Sequence, residues 1–359
     1  MAMLRIKDRL EKIFSAIDVD CIVVMNKSPP VSSFFYITGL SGGLFEGCFA
    51  VAFRDRCVLL SAGLDHVKSD EIEVDNFKNS NDLKKKLQEL TKACKKVGFD
   101  GIATSYSDYQ KLRKLLRGKK LVDIGMHIVK CRFNKDDYEI EMIRRACRVA
   151  DRVFNKIIDD LKDGIKEKEM AIMIETLIKE CGADDKAFDS IVAFGKNSAI
   201  PHHVPGNRRL RRGDIVLLDF GARYRGYVSD ITRSFVYGKA DDRIKEMFDV
   251  VLKAQQIGGN AIKEGVKLEE PHNRVVRYIN GTRFRGKFIH SLGHTIGLEV
   301  HDGYRLGKGC KEIFSNGVTF TIEPGIYLKS VGGIRIEDDF VFLNGKAKRL
   351  THAPRFPEI

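Results

Sequence analysis

Two segments of the chain share a design that limits how the residues between them can fold. In each segment an acid ends an apolar strand, a turn containing glycine follows, and a second acid lies on the returning strand. The acids are Asp219 and Asp230 in the first segment and Glu323 and Glu337 in the second. Because a hairpin brings the ends of its two strands together, the sequence predicts four carboxylates in one largely buried place.

Four ionised carboxylates cannot lie a few ångströms apart in a low-dielectric interior without compensating charge. Two divalent cations would balance the total charge of four carboxylates, with a neutral imidazole as a fifth ligand. Three of the nine histidines, His290, His294 and His301, lie within twelve residues and are the candidate source of that imidazole. A donor set of oxygens with one nitrogen suits manganese, cobalt, iron or zinc.

Each of these residues also has an ordinary structural interpretation. An aspartate at the end of a strand is usually a turn or capping residue, and Pro-Gly marks turns in many proteins. A lone histidine is more often a hydrogen-bonded structural residue than a ligand. The metal-site hypothesis therefore depends on the ordered set and not on any single member.

The pattern of strands and helices indicates two domains, as the length of 359 residues also suggests. Residues 1–125 alternate strand-like and helical segments, with strands expected at Cys21–Met25, Cys57–Ser61 and residues 97–103, which predicts a small α/β domain. After Gly125, two long amphipathic helices are expected at 135–161 and 167–181, followed from Ser190 by a region rich in strands. Residues 126–359 are accordingly predicted to form an α+β catalytic domain on an antiparallel sheet.

The composition of the chain bears on its expected cellular location and on its binding partners. The apolar runs are strand-sized and shorter than the ~20 residues that span a bilayer, and the first residues lack the apolar stretch of a secretory signal. Eight scattered cysteines without Cys-x-x-Cys spacing are expected to be reduced thiols. These features predict a cytoplasmic protein. The net charge of +13 is spread along the chain and not gathered in a stripe, which disfavours a nucleic-acid partner.

The ordered motifs resemble those of the pita-bread-fold metallopeptidases, which include prolidase, aminopeptidase P and methionine aminopeptidase. The resemblance covers about residues 135–345. The N-terminal 125 residues look like the creatinase-like domain of prolidases and aminopeptidases P, which favours the proline-directed branch. The matching segments are Asp219-Phe220-Gly221, Asp230-Ile231-Thr232-Arg233, His290 to His301, Glu323-Pro324-Gly325-Ile326-Tyr327 and Gly333-Ile334-Arg335-Ile336-Glu337-Asp338.

This resemblance implies a role for each ligand. Asp219 would hold one metal ion, His294 and Glu323 the other, and Asp230 and Glu337 both. A hydroxide bridging the two cations would attack the carbonyl that precedes proline in Xaa-Pro dipeptides or short Xaa-Pro peptides. Manganese or cobalt is the expected metal, with zinc and iron as alternatives, and a homodimer is the expected assembly.

The resemblance also implies residues that act on the substrate. Glu323 would move the proton, and His202 and His301 would stabilise the tetrahedral intermediate and hydrogen-bond the substrate. His203 is the weaker candidate of the adjacent pair. His290 and Arg335 are expected in the substrate pocket, although Arg335 equally suits the role of a structural partner of a ligand carboxylate.

The chain departs from the family pattern at two places, and three other functions stay open. Thr295 stands where glycine is usual, and Asp302-Gly303-Tyr304 replaces the usual Glu-Ala-Pro. The departures bear on substrate preference, since no ligand is lost. The alternatives are a methionine-aminopeptidase-like activity, a non-catalytic binding protein with the same fold, and a creatinase-like hydrolase that works without metal.

Overall fold

The computed structural model of the protein describes residues 5–67 and 69–359. The chain divides into two units, Met1–Arg132 and Phe133–Ile359. The predicted boundary between residues 125 and 126, where two separately folding domains would part, stays a prediction.

The first unit is built on a six-stranded mixed sheet with the strand order β4-β3-β2-β1-β5-β6. Strands β1 and β3 are short apolar runs that are buried on both faces, which is why an uninterrupted apolar pattern marks them. The elements are α1 (Ile6–Phe14), β1 (Cys21–Met25), α2 (Ser32–Thr38), β2 (Phe49–Ala52), β3 (Cys57–Ser61), β4 (Glu73–Asn76), α3 (Ser80–Leu90), β5 (Lys96–Phe99), α4 (Tyr106–Leu115), β6 (Lys120–Asp123) and α5 (Gly125–Phe133).

The second unit begins with two long helices and continues as short antiparallel strands with a helix pair between them. Its elements are α6 (Asp137–Asp159), α7 (Glu167–Glu180), β7 (Asp185–Lys186), β8 (Ile191–Phe194), a 3-10 turn (Gly195–Ala199), β9 (Ile215–Phe220), β10 (Ala222–Tyr224), β11 (Tyr227–Val228), β12 (Ile231–Val236), α8 (Asp242–Asn260), α9 (Glu269–Asn280), β13 (Gly293–His294), β14 (Arg305–Leu306), β15 (Thr319–Ile322), β16 (Gly325–Leu328), β17 (Gly332–Arg335), β18 (Asp338–Leu343) and β19 (Lys346–Arg349).

Helix α6 illustrates how the sequence sets these elements. Asp136 caps the helix by accepting from the backbone N–H of Glu139, whose carboxylate accepts in turn from the N–H of Asp136. Buried side chains then recur at helical spacing along one face, among them Ile143, Cys147 and Phe154. The part of this face from Val149 to Ile157 packs into a core with α7 and the β8-β9-β12 sheet.

The strands of the second unit pair antiparallel in five small sheets: β12-β9-β8, β11-β10-β7, β13-β14, β15-β18-β19 and β16-β17. A second core lies between α8, α9 and the sheet that contains β15 and β18. The prediction of an α+β catalytic unit on antiparallel sheet is confirmed. In the part of the chain that the structure describes, no helix is both long enough and apolar enough to cross a membrane.

Candidate metal centre

The first pair of acids comes together through the pairing of β9 with β12. Asp219 lies opposite Thr232 in this antiparallel ladder, and Asp230 immediately precedes β12. The turn is tight, since a Cβ added at Gly221 would lie 1.9 Å from the carbonyl oxygen of Ser229. Only glycine permits this approach, so the turn brings the two aspartates to the same end of the sheet.

The second pair of acids is held by two ladders that follow each other. Strand β15 pairs with β18, with Ile322 opposite Asp338, and β16 pairs with β17. Glu323 follows β15 and Glu337 precedes β18, so the two glutamates flank the same position in the sheet. The hairpins expected from the sequence are therefore present around both acid pairs.

The histidine between the two hairpins is placed by a close backbone approach. His294 lies in β13 directly after Gly293, where an added Cβ would lie 2.1 Å from the carbonyl oxygen of Thr321. The backbone N–H of Glu323 donates to the carbonyl of Leu292 at 2.7 Å. These contacts hold the imidazole of His294 against the end of β15.

Donor atoms of Asp230, His294 and Glu337 all lie within 4.8 Å of one another, and the three residues are buried. His294 Nε2 is 3.5 Å from Asp230 Oδ2 and 3.7 Å from Glu323 Oε1. Burial, and then nearby acid charges that include Asp219, raise the pKa of Asp230, Glu323 and Glu337. The structure therefore groups Asp230, His294 and Glu337, with Glu323 beside His294 and Asp219 acting on the other acids through its charge.

The protonation behaviour of the site follows from burial and mutual repulsion. Burial, and then the charge of Asp219, raise the pKa of Glu337 to about 8. Burial and then the charge of Glu337 raise the pKa of Asp230 and of Glu323 well above the ordinary value. The pKa of His294 falls to about 3, chiefly through burial and then the charge of His301. His294 is accordingly a neutral imidazole near neutral pH, which is the form that binds metal.

The chemistry of these donors fits divalent cations. The Oδ1 atoms of Asp219 and Asp230 are buried without a hydrogen-bond partner, a costly state for a carboxylate. Carboxylates crowded against each other need positive charge nearby. Four carboxylates and one neutral nitrogen form a suitable ligand set for hard and borderline divalent metals. Bound cations would satisfy the unpaired Oδ1 atoms of Asp219 and Asp230.

Arg335 contacts Asp219 directly and reaches Glu337 through one hydroxyl group. Its Nη2 pairs with the Asp219 carboxylate, and its Nε donates to the Thr232 hydroxyl at 3.0 Å. That hydroxyl donates in turn to Glu337 Oε2 at 2.6 Å. Arg335 Nη1 is 3.1 Å from the Tyr327 hydroxyl. These contacts favour the role of structural partner of a ligand, and contact with a substrate stays a prediction.

The other predicted histidines of this segment lie beside the ligands. His290 Nε2 is 2.8 Å from the Tyr327 hydroxyl, and His290 Nδ1 is 3.8 Å from Glu323 Oε2. Burial and then the charge of Arg335 lower the pKa of His290 to about 4. The ring of His301 stands perpendicular to that of His294, with centroids 4.3 Å apart.

His202 and His203 have different surroundings in the structure. His203 Nε2 is 2.9 Å from Glu167 Oε2. His202 is exposed; burial and then the charges of Arg335 and His202 lower the pKa of His290, and burial and then the charge of His202 lower the pKa of His301. The charge of His202 thus acts on two histidines of the candidate metal centre, whereas the His203 side chain contacts Glu167.

The two departures from the family pattern have a structural explanation. The Thr295 hydroxyl donates to the carbonyl of Asp302 at 2.7 Å and accepts from the N–H of Tyr304 at 3.0 Å. Asp302 forms a 2.9 Å ion pair with Lys135, and both side chains are almost fully buried. Thr295 therefore connects the two sides of the loop that carries His301, through its hydrogen bonds to Asp302 and Tyr304.

Sequence reasoning missed several residues of the site. Tyr327 and Thr232 lie inside the quoted motifs, but their hydroxyls acquire roles only through contacts with other strands. Asp339 accepts from the N–H of Asp230 at 2.9 Å and from Cys147 Sγ at 3.3 Å. The sequence signal for Asp339 is that it is the third of three consecutive acids, Glu337, Asp338 and Asp339.

The fold and the donor set together define a metallohydrolase whose catalytic unit is built from short antiparallel strands. Residues 141–343 match metallopeptidase family M24, and residues 6–133 match the creatinase/prolidase N-terminal domain. The chain belongs to metallopeptidase family M24. The predicted pita-bread fold and the prediction of a metalloexopeptidase are confirmed by this membership.

Relatives and solved structures match over nearly the whole chain. The Xaa-Pro dipeptidase of Pyrococcus furiosus is 34% identical over 352 residues, which cover 97% of this chain and 99% of that protein. The structure of an Xaa-Pro dipeptidase from Bacillus anthracis superposes with a TM-score of 0.89 at 30% identity, covering 99% of this chain and all of that one. An X-Pro aminopeptidase from Thermotoga maritima gives a TM-score of 0.89 at 31% identity, with coverage of 97% and 100%.

Proposed function

We propose that the protein hydrolyses the bond between an N-terminal residue and proline in Xaa-Pro dipeptides or short Xaa-Pro peptides. The observation that carries the proposal is the buried cluster of Asp230, His294 and Glu337. It occurs in a chain that is similar along nearly its full length to proteins named Xaa-Pro dipeptidase. The match of residues 6–133 to the creatinase/prolidase N-terminal domain supports the proline-directed branch over a methionine aminopeptidase.

Five residues would hold two divalent cations: Asp219, Asp230, His294, Glu323 and Glu337. When bound, the cations supply a hydroxide near neutral pH and stabilise negative charge on the carbonyl oxygen of the substrate. Manganese or cobalt is the proposed metal. Support comes from the oxygen-rich donor set and from the unpartnered Oδ1 atoms of Asp219 and Asp230.

The remaining chemistry falls to side chains of this chain. Glu323 accepts and returns the proton, because it is a carboxyl group at the centre whose pKa is raised by burial and by Glu337. His202 and His301 donate hydrogen bonds to the developing oxyanion and to the substrate. His290, with its Nδ1 near Glu323, is proposed to border the substrate, and Arg335 to hold Asp219 in place.

Proline in the second position demands a dedicated pocket. Its nitrogen carries no proton in the peptide bond and is closed into a rigid ring. An aminopeptidase pocket that recognises the N–H of that bond therefore cannot place it. The restriction is tested by substrate choice and not by the metal centre itself.

The decisive experiment compares three peptides with protein reconstituted in manganese or cobalt: an Xaa-Pro dipeptide, an Xaa-Pro tripeptide and Met-Ala-Ser. Turnover of either proline peptide without turnover of Met-Ala-Ser is the expected result, and the ratio of the two separates dipeptidase from aminopeptidase. Turnover of Met-Ala-Ser alone would overturn the proposal. Asp230→Asn should abolish hydrolysis, whereas Asp249→Asn on the exposed face of α8 should not.

We also propose that the protein acts in the cytoplasm as a homodimer. All eight cysteines are free and seven are buried, which suits a reducing compartment. The dimer rests on the family resemblance. Sedimentation of the purified protein at micromolar concentration tests it, and a monomer would contradict it.

A further inference from the structure

We propose that Glu167 is a positioning residue whose carboxylate holds the segment 194–206 so that His202 faces the metal centre. The inference rests on the proposed function, because it concerns how a residue assigned to substrate binding is presented. Glu167 is the first residue of α7, and its side chain is fully buried. A buried carboxylate needs several donors, and the partners of this one are informative.

Four donors converge on the Glu167 carboxylate, and all of them belong to segment 194–206. Oε1 accepts from two donors near the start of the segment, and Oε2 accepts from two donors near its end. The donors are the Phe194 N–H at 2.9 Å, Asn197 Nδ2 at 2.8 Å, His203 Nε2 at 2.9 Å and the Gly206 N–H at 3.0 Å. One side chain therefore fastens both ends of the segment.

The residue type matches this task. An ionised carboxylate accepts on both oxygens and donates nothing, so it satisfies four donors at once. Its position in the first turn of α7 adds the favourable end of the helix dipole. A glutamine of the same shape would turn an NH₂ group toward two of the four donors. The isosteric change would thus break half of the arrangement without removing its volume.

His202 lies between two fastened neighbours. His203 on one side contacts Glu167, and the carbonyl of Pro201 on the other side lies 3.4 Å from Arg335 Nη1. Arg335 itself pairs with Asp219. The residues on both sides of His202 therefore contact buried groups, one of which contacts a predicted metal ligand, while the His202 side chain is exposed.

The first test is a double-mutant cycle on hydrolysis of an Xaa-Pro dipeptide by the metal-loaded protein. Glu167→Gln should lower kcat/KM on the order of tenfold in the wild-type background but less than about twofold in the His202→Ala background, because the two residues act as a unit. Bound metal should be unchanged in both. Equal losses in the two backgrounds would overturn the proposal, since they would indicate a general effect on stability.

Two sets of variants refine this result. Glu169→Gln is the matched control: Glu169 lies in the same first turn of α7, but its exposed carboxylate pairs with Lys166 and not with segment 194–206. It should keep the activity of the wild type. His203→Gln retains a donor for Glu167 Oε2 and should keep more activity than His203→Ala. The reverse order would contradict the proposal.

A second readout does not depend on activity. Glu167→Gln should speed amide hydrogen exchange in segment 194–206 on the order of tenfold relative to Glu169→Gln, because two of the accepted donors are backbone N–H groups. Unchanged exchange would overturn the proposal even if the wild type hydrolyses Xaa-Pro peptides. If the wild type hydrolyses none, the proposed function fails while faster exchange still supports the role of Glu167 in holding the segment.

Discussion

The guanidinium of Arg335 forms an ion pair with the carboxylate of Asp219, and both side chains are buried. This pair ties a predicted metal ligand on β9 to the end of β17. The same guanidinium donates to Thr232, which donates to Glu337, so Arg335 reaches a second ligand through one hydroxyl. Groups that orient metal ligands in this way govern metal affinity almost as strongly as the ligands do.

Arg335→Gln should weaken metal binding or activity by about 10- to 100-fold, because Asp219 loses its fixed partner. Calorimetric titration with manganese and steady-state hydrolysis measure the two quantities. Arg274→Gln is the control, since Arg274 pairs with Glu270 on the exposed side of α9. A raised KM with unchanged metal affinity would instead support contact between Arg335 and the substrate.

Chelator-treated protein should lose stability as the pH rises from about 7.5 to 8.5. Glu337 has an ordinary pKa of 4.5, which burial and the charge of Asp219 raise to about 8 in the fold. Across this range the folded chain holds a proton that the unfolded chain has released, so the free energy of unfolding falls with rising pH. His294 and His290, whose pKa burial lowers, oppose this trend near pH 6.5, where the unfolded imidazoles are half protonated, but hardly oppose it above about pH 7.5.

Urea unfolding at several pH values measures this dependence. Glu337→Gln should make the slope shallower, because glutamine does not titrate. Loading the protein with metal should also flatten it, since bound cations keep the carboxylates ionised. Stability that rises between pH 7.5 and 8.5 in the metal-free protein would contradict the account.

Gly293→Ala should lower metal affinity because the new methyl group would lie 2.1 Å from the carbonyl oxygen of Thr321. The backbone of β13 must move away, and His294 moves with it. Gly259→Ala is a suitable control, since its Cβ would meet only Ile322 at ordinary contact distance inside helix α8. Equal metal affinity in the two variants, measured by titration, would show that β13 tolerates the displacement.

Lys135→Met should destabilise the fold by about 3–5 kcal/mol, because it leaves the buried Asp302 carboxylate without its cation. Adding Asp302→Leu should recover much of that loss, since no uncompensated charge then remains buried. Equilibrium urea unfolding of the two variants measures both effects. A double variant no more stable than Lys135→Met would indicate that packing, and not charge, dominates here.

The local pattern of apolar residues was sufficient to predict a strand where every residue of that strand is largely buried. Strands β1 and β3 have the bounds expected from their apolar runs. The strand expected at 97–103 ends at Phe99, because the Asp100 side chain accepts from the N–H groups of Ile102 and Ala103 and turns the chain. Helix α2 is rich in aromatic residues, which favour strands, and it was not predicted.

In the candidate site, too, some residues could be predicted from local sequence and others could not. The acids at strand ends could be predicted because hairpins are local and charge repulsion is general. The partners that orient them could not, since each depends on contacts between distant segments: Lys135 with Asp302, Arg335 with Asp219, and Glu167 with donors 27 to 39 residues away. No periodicity in the sequence encodes such pairs.

The spacing of the predicted ligands along the chain has a consequence for how the protein is made. Asp219 leaves the ribosome long before Glu337, and the strand that pairs with the Glu323 strand is β18, which follows Glu337. A nascent chain therefore carries no complete donor set until most of its catalytic unit has been synthesised. We expect metal to enter after translation, so the metal present in the protein should reflect the supply at the time of folding and not selection by an early binding segment.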